Sequence, residues 1–203
     1  MVKNKFFPCF IYICGLQPRY EKYVCLCLSI YLSMPTLANR SIFLNSYSNQ
    51  ITFNVGQVVD SLGLVAWPRN FAPYTMLHFQ YSQPTEFFRL PARKSLNLIQ
   101  NIGYGNNQWN WKDYSIQIIT LSEDFILYNT NKFYFGNGVA VGFQRVENER
   151  IGTKLLFGFK LLSGYKISDK FNAELFMQHF SNGETSLNNW SYNFWGLGVS
   201  YNF

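Results

Sequence analysis

The chain has 203 residues, of which 48% are hydrophobic, 19% are aromatic and only 14% are charged, which is sparse for a water-soluble surface. Its formal net charge of +6 owes much to residues 1–38, because residues 39–203 hold 13 Lys or Arg and 10 Asp or Glu, a net charge of +3. A chain this weakly basic does not indicate binding to nucleic acid.

Residues 1–38 are predicted to be a signal peptide. Arg19 and Lys22 precede an apolar run over residues 23–34, and residues 36–38 form a small-x-small cleavage pattern. The run is too short to span a bilayer, which takes about 20 apolar residues. All four cysteines lie in this leader, and one histidine remains outside the motif described below, so we expect neither a metal nor another cofactor.

Residues 39–203 are predicted to form one β-domain. Segments of roughly ten residues alternate apolar and polar side chains and are separated by turn-rich stretches, as in barrel strands. The eight segments are Ile51–Val59, Tyr74–Ser82, Ser95–Asn106, Tyr114–Ser122, Lys132–Gln144, Thr153–Ile167, Phe171–Asn182 and Tyr192–Phe203.

The two faces of these segments differ in size and polarity. In the fifth segment Phe133, Phe135 and Phe143 share one parity, whereas Gly136 and Gly138 have the other. A soluble sandwich would turn the apolar faces inward and expose the glycine-rich ones, with few charges to keep it soluble. The pattern therefore favours an all-β fold, an eight-stranded antiparallel transmembrane β-barrel of the outer-membrane type, with lipid outside and a tight lumen inside.

The last segment ends in aromatic residues in phase with Phe203, which resembles the C-terminal signature of bacterial outer-membrane barrels. This resemblance implies that the outer-membrane assembly machinery recognises the final strand. It also implies a location in the outer membrane of a Gram-negative bacterium.

The polar and charged residues of the domain fall into two groups. His78 and three charged residues have the parity of the lumen, where packing or an internal ion-pair network is expected: Lys154, Lys160 and Glu174. Four acidic residues fall in predicted turns, where we expect solvated loop charge: Glu123, Asp124, Glu147 and Glu149.

His179 and Ser181 continue the lipid-facing parity of the seventh segment, because side chains two residues apart on a strand share a face. Asn193 has the outward parity of the eighth segment, so it can lie beside them across an antiparallel hairpin. A serine next to a histidine can attack an ester while the imidazole takes its proton. Polar residues near the membrane interface cost only about 0–1 kcal/mol, so the same residues could also be tolerated without a function.

The sequence HFSN at 179–182, followed by an Asn-containing loop and a last strand, resembles lipid A 3-O-deacylases of the PagL family. These are small eight-stranded outer-membrane barrels with a His-x-Ser-Asn motif on the penultimate strand. The resemblance is specific over residues 132–203, through FYFGNGVAVGF, GTKLLFGFKLLSGYKISDKFNAELFMQHFSN and the closing strand. Over residues 51–122 it rests on the number and spacing of the strands.

By this resemblance Ser181 is the nucleophile and His179 is the general base. Asn182 and Asn189 match family positions associated with stabilising the oxyanion. The acidic third member of the family site falls on Asn193, which can orient an imidazole but cannot stabilise its positive charge. Glu184 is the nearest carboxylate in the sequence and is the alternative third member.

The first hypothesis is therefore an outer-membrane carboxylic ester hydrolase that removes the 3-O-linked acyl chain of lipid A in lipopolysaccharide. The second hypothesis is a non-enzymatic small barrel, structural or adhesive, in which the site is inert or decayed. A narrow channel is a third interpretation, although an eight-stranded lumen is normally filled by side chains. The sequence leaves open whether the barrel forms a homodimer.

Overall fold

The computed structural model describes residues 48–60, 70–87, 90–102 and 116–203, so the predicted signal peptide lies outside the described residues. In the part described, no helix is long and apolar enough to cross a membrane. The strands are β1 Gln50–Asp60, β2 Asn70–Phe87, β3 Leu90–Ile102, β4 Gln117–Asn129, β5 Phe133–Gln144, β6 Leu155–Lys166, β7 Phe171–Ser181 and β8 Tyr192–Asn202.

These strands form a closed barrel in which each strand is antiparallel to the next and β8 pairs with β1. Closure gives the backbone N–H and C=O groups partners along both edges of every strand, which a strand surrounded by hydrocarbon requires. The prediction of an eight-stranded antiparallel barrel is thus confirmed.

The outer wall of the barrel is apolar. In β5 the side chains of Phe133, Phe135, Val139, Val141 and Phe143 are exposed. The outward positions of β1, β3 and β8 continue this belt around the wall. A continuous apolar belt on a closed barrel is the surface of a protein that spans a membrane.

An ion-pair cluster crosses the lumen and joins strands on opposite sides of the barrel. The Arg93 guanidinium donates to Asp124 (Nε to Oδ2, 2.9 Å) and to both carboxylate oxygens of Glu174 (2.5 and 2.9 Å). Lys160 Nζ lies 3.2 Å from the same Asp124 oxygen, and the Tyr134 hydroxyl donates to Glu174. These side chains are buried, which confirms the predicted lumen network for Lys160 and Glu174.

The prediction that Glu123 and Asp124 lie in a solvated turn is wrong. Strand β4 runs to Asn129 instead of ending at Ser122, so both carboxylates are in the strand. Asp124 is fully buried because Arg93 and Lys160 neutralise it in the lumen. Two acidic residues in succession resemble a turn in sequence, and the cationic partners of Asp124 are distant along the chain.

The lumen prediction also fails for Lys154, which precedes β6 and is exposed. It holds for His78, which is buried between Asn54 and Asn97 with its Nε2 2.9 Å from the Asn97 amide oxygen. Glu147 and Glu149 are exposed between β5 and β6, as expected.

The two ends of the barrel have connections of different length. Residues 88–89, 130–132 and 167–170 join strands at the end where β1 begins and β8 finishes. The connections at the other end are longer and comprise residues 61–69, 103–116, 145–154 and 182–191. Outer-membrane barrels have short periplasmic turns and longer extracellular loops, so the second end faces outward from the cell.

The lumen cluster generates a stability prediction. Replacing Glu174 with Gln should lower the free energy of unfolding by about 3–5 kcal/mol, because it removes one partner of a buried ion pair and leaves Arg93 without its bidentate acceptor. The measurement is urea unfolding of the barrel in lipid vesicles. Asp169→Asn makes the same chemical change in an exposed turn and should leave stability unaltered. Equal effects of the two variants would contradict a stabilising role for the cluster.

Candidate functional site

His179 and Ser181 lie at the end of β7 that leads into the 182–191 connection, which we call the loop end. They are on the outer face of the barrel, and both side chains are half-buried. Phe180 lies between them in sequence and points into the lumen, where it is fully buried. On β8, Tyr192 and Phe194 flank Asn193 and are buried in the same apolar cluster as Phe180. The inward side chains therefore anchor the two strand ends while the residues between them stay on the outer face.

His179 and Asn193 are direct partners in the antiparallel ladder, and the imidazole Nδ1 lies 2.8 Å from the Asn193 amide oxygen. The Asn193 nitrogen Nδ2 donates to the Ser191 hydroxyl at 3.0 Å, which orients the amide so that its oxygen faces the ring. Because an amide oxygen only accepts, Nδ1 carries the proton, and Nε2 keeps the lone pair that a general base needs.

Ser181 is the last residue of β7 and pairs with Phe157 of β6. Its hydroxyl forms no hydrogen bond with any residue in the described ranges. Residues two apart on a strand are separated by roughly 6.6 Å along it. The Ser181 hydroxyl and the His179 imidazole therefore share a face, but no hydrogen bond joins them in this structure. The site thus contains a serine hydroxyl on the same face as an imidazole in the tautomer that can accept its proton.

The Asn182 side chain braces two loops. It is fully buried, and its amide nitrogen donates to the backbone carbonyls of Ile151 (2.7 Å) and Asn188 (2.8 Å). Its amide oxygen accepts from the backbone N–H of Glu184 at 2.8 Å. With both ends of the amide engaged, Asn182 holds the 145–154 and 182–191 connections together.

Asn189 is placed differently from Asn182. Its side chain is exposed, and its amide oxygen accepts the Asn182 backbone N–H at 3.2 Å. This contact fixes the amide at the rim just after Ser181 and leaves its nitrogen as a donor. Asn189 is therefore better placed than the Asn182 side chain to donate to a ligand.

The nearest carboxylate in the sequence is not brought to the imidazole. Glu184 is exposed in the loop, with a backbone φ of 64°. Within the described ranges no carboxylate forms an ion pair with His179, whose side-chain hydrogen-bond partner is Asn193. Those ranges also contain no group of three or more His, Cys, Asp or Glu side chains placed to hold a metal ion.

Two residues that sequence reasoning missed support the site. The Arg150 guanidinium donates from Nε and Nη2 to the Ser191 carbonyl (3.2 and 3.1 Å), and the Trp190 N–H donates to the Arg150 carbonyl. Ser191 in turn orients Asn193. Ser191 could have been found from its spacing, because it lies two residues before Asn193. The contact between Arg150 and Ser191 could not, because the two residues are distant in the sequence.

Comparison with known proteins gives one family match. The family model described as lipid A 3-O-deacylase (PagL) matches residues 74–202. A search of curated protein sequences finds no match.

Solved structures of outer-membrane barrels are similar in fold. The crystal structure of the outer membrane enzyme PagL has a TM-score of 0.56 at 11% identity, covering 76% of this chain and 99% of that one. Neisserial surface protein A (NspA) has a TM-score of 0.51 at 14% identity, covering 78% of this chain and 97% of that one. At these identities the likeness shows the fold alone.

The brace formed by Asn182 can be tested directly. Asn182→Ala should leave two carbonyls without their donor, at a cost of about 1–3 kcal/mol. Trypsin added to intact cells should then cleave after Arg150 roughly tenfold faster, while the folded barrel persists. Asn188→Ala keeps the backbone carbonyl that Asn182 uses and is the matched control. Equal cleavage of the two variants would refute the brace.

Proposed function

We propose that this chain, which belongs to the lipid A 3-O-deacylase (PagL) family, hydrolyses the ester-linked acyl chain at the 3-position of lipid A. The protein is an eight-stranded β-barrel of the Gram-negative outer membrane. The observation that carries the proposal is the His179–Asn193 hydrogen bond on the outward face, two residues from Ser181.

The position of the site suits a lipid substrate. His179 and Ser181 face the membrane at the loop end of the barrel, and the outer leaflet at this end contains the lipopolysaccharide. A substrate dissolved in water would have to enter the acyl-chain layer to reach these residues. A lipid in the same leaflet reaches them by lateral diffusion, with its ester near the depth of the serine.

In the first step the Ser181 Oγ attacks the ester carbonyl carbon while its proton passes to Nε2 of His179. The tetrahedral intermediate collapses, the sugar oxygen leaves and takes that proton, and the acyl group stays on Ser181. Water then attacks the acyl-enzyme, with His179 again accepting and returning a proton. This second step releases the fatty acid and restores the serine, so no cofactor is needed.

The negative oxygen of the intermediate needs hydrogen-bond donors near Ser181. The resemblance of the motif to the family implies this role for Asn182 and Asn189, and we assign the donation to the Asn189 amide nitrogen. The oxygen of that amide is already held by the Asn182 backbone N–H. Asn182 then acts indirectly. Its side chain holds the two loops together, and its backbone N–H positions the Asn189 amide.

Asn193 lowers the expected rate without removing the mechanism. Its amide oxygen holds the imidazole in the required tautomer, as a carboxylate would. It carries no charge, however, and therefore stabilises the imidazolium of the intermediate less than an acidic residue. The same substitution is the specific observation that favours the second candidate function, a structural or adhesive barrel with a decayed site.

The nucleophile can be tested with a pair of serine variants. Ser181→Ala should abolish release of the 3-O-linked chain, measured by mass spectrometry of lipid A from cells expressing the barrel. Ser163→Ala removes an exposed serine from the outer face of β6 and should leave the product unchanged. Full activity of the Ser181 variant would exclude this serine as the nucleophile.

The role of Asn193 predicts opposite effects for two substitutions at this position. Asn193→Asp should raise the deacylation rate by roughly tenfold or more, because a carboxylate keeps the hydrogen bond and adds charge stabilisation. Asn193→Leu should lower the rate by about 10²-fold, since the imidazole loses its orienting partner. The measurement is the initial rate of fatty-acid release in mixed micelles. If the wild-type chain is inactive and the Asn193→Asp variant is active, the protein is a decayed enzyme.

A further inference from the structure

The outer wall carries an apolar groove of about 460 Å³ across β1 to β5. It shares no residue with the site on β7 and β8. Its walls include five side chains that are successive register partners on adjacent strands: Phe53, Phe79, Leu98, Ile119 and Phe143. The row has phenylalanines at both ends and smaller side chains in the middle. The larger rings project further from the barrel than the side chains between them, so a shallow groove forms on the outer wall.

The loop end of the groove is polar and cationic. Gln100, Gln117 and Arg145 line it there, at the same rim of the barrel as Ser181. The Arg145 guanidinium donates to the Gln117 amide oxygen at 2.9 Å, and the two backbones are also hydrogen-bonded. Arg145 is exposed, and in the described ranges no carboxylate forms an ion pair with it. Among the described residues, Arg145 is therefore an oriented cation above an apolar groove, and its guanidinium has N–H groups besides the one donated to Gln117.

We propose that this groove is a second lipid site, which binds one acyl chain of a phosphorylated glycolipid of the lipid A class. The apolar row packs against the chain, and Arg145 donates to a phosphate at the level of the headgroup. A guanidinium matches the geometry of phosphate oxygens, and such charge-assisted hydrogen bonds are stronger than neutral ones. The volume is within the roughly 300–1,000 Å³ typical of small-molecule sites.

The occupant follows from where the groove lies and from its charge. The groove lies on the lipid-facing wall and its Arg145 end lies at the outward rim, so lipid hydrocarbon is the only bulk material available to fill it. A cation at the headgroup level that has no carboxylate partner within the described ranges selects an anionic lipid over a neutral or zwitterionic one. The described lining residues include no Ser, Cys or His, so the site binds the lipid without hydrolysing it. The proposal does not depend on the proposed esterase activity.

The test is site-specific cross-linking in living cells, with the photoreactive residue p-benzoylphenylalanine at position 119 or at position 121. Ile119 lines the groove, whereas Leu121 is the next outward residue of β4, is 64% exposed and is not among the lining residues. We expect lipid A adducts at position 119 to exceed those at position 121 about fivefold. Arg145→Gln should reduce them to the level at position 121. Lys154→Gln removes an exposed cation at the same rim, outside the groove, and should leave them unchanged.

Two further variants make the outcomes separable. Gln117→Leu releases the guanidinium without removing its charge and should give an intermediate loss of adduct, with the folded barrel verified by its heat-modifiable migration. Ser181→Ala should leave cross-linking intact, so a failure of the esterase proposal is distinguishable from a failure of this one. Equal adducts at positions 119 and 121, adducts insensitive to Arg145→Gln, or adducts mainly with phospholipid would overturn the proposal.

Discussion

The constraint on which the structure depends is the closed hydrogen-bonded ring of strands. A strand in hydrocarbon must pair along both edges, and pairing all eight in a ring leaves no free edge. Once the ring is closed, successive side chains along each strand point alternately into the lumen and toward the lipid. That division puts His179 and Ser181 outside and Phe180 inside. It also puts His179 opposite Asn193, because their register is set by the ladder that closes the ring.

The lumen and the loops keep the outer site in place. The ion-pair cluster around Glu174 and Arg93 ties distant strands together, and the apolar cluster around Phe180 fills the lumen beside the site. Above it, Asn182 and Arg150 join the two loops that meet at the rim. Asn193 orients the imidazole of His179 directly, and further support comes from residues on the other face of the same strands and from the loops. This arrangement holds His179 and Ser181 on the outer face of the barrel.

Much of the fold and half of the site follow from local pattern. Alternation predicted eight strands and the outward parity of His179, Ser181 and Asn193, because parity depends only on spacing within a strand. Asp124 and Lys154 were assigned wrongly because the positions of strand ends depend on contacts distant in sequence. Asp124 lies within β4 and pairs with Arg93. Lys154 lies just before β6 at the rim, where its side chain is exposed. The hydrogen bonds that Asn182 and Arg150 make between the two loops could not be predicted, since they depend on how the loops meet. The recognition of the last strand by the assembly machinery stays a prediction, and whether the barrel forms a homodimer stays open.

The central claim is that the hydroxyl of Ser181 and the ring of His179 project into the lipid. It can be measured by placing a nitroxide, through a single introduced cysteine, at each position from 175 to 181 of the barrel in bilayers. Residues 39–203 contain no cysteine, so each label is unique in a chain expressed without the predicted leader. Collision with dissolved oxygen should be greater at positions 175, 179 and 181 than at the even positions 176, 178 and 180, whereas Met177 is buried. Maxima at positions 178 and 180, or loss of the alternation before position 179, would contradict the account.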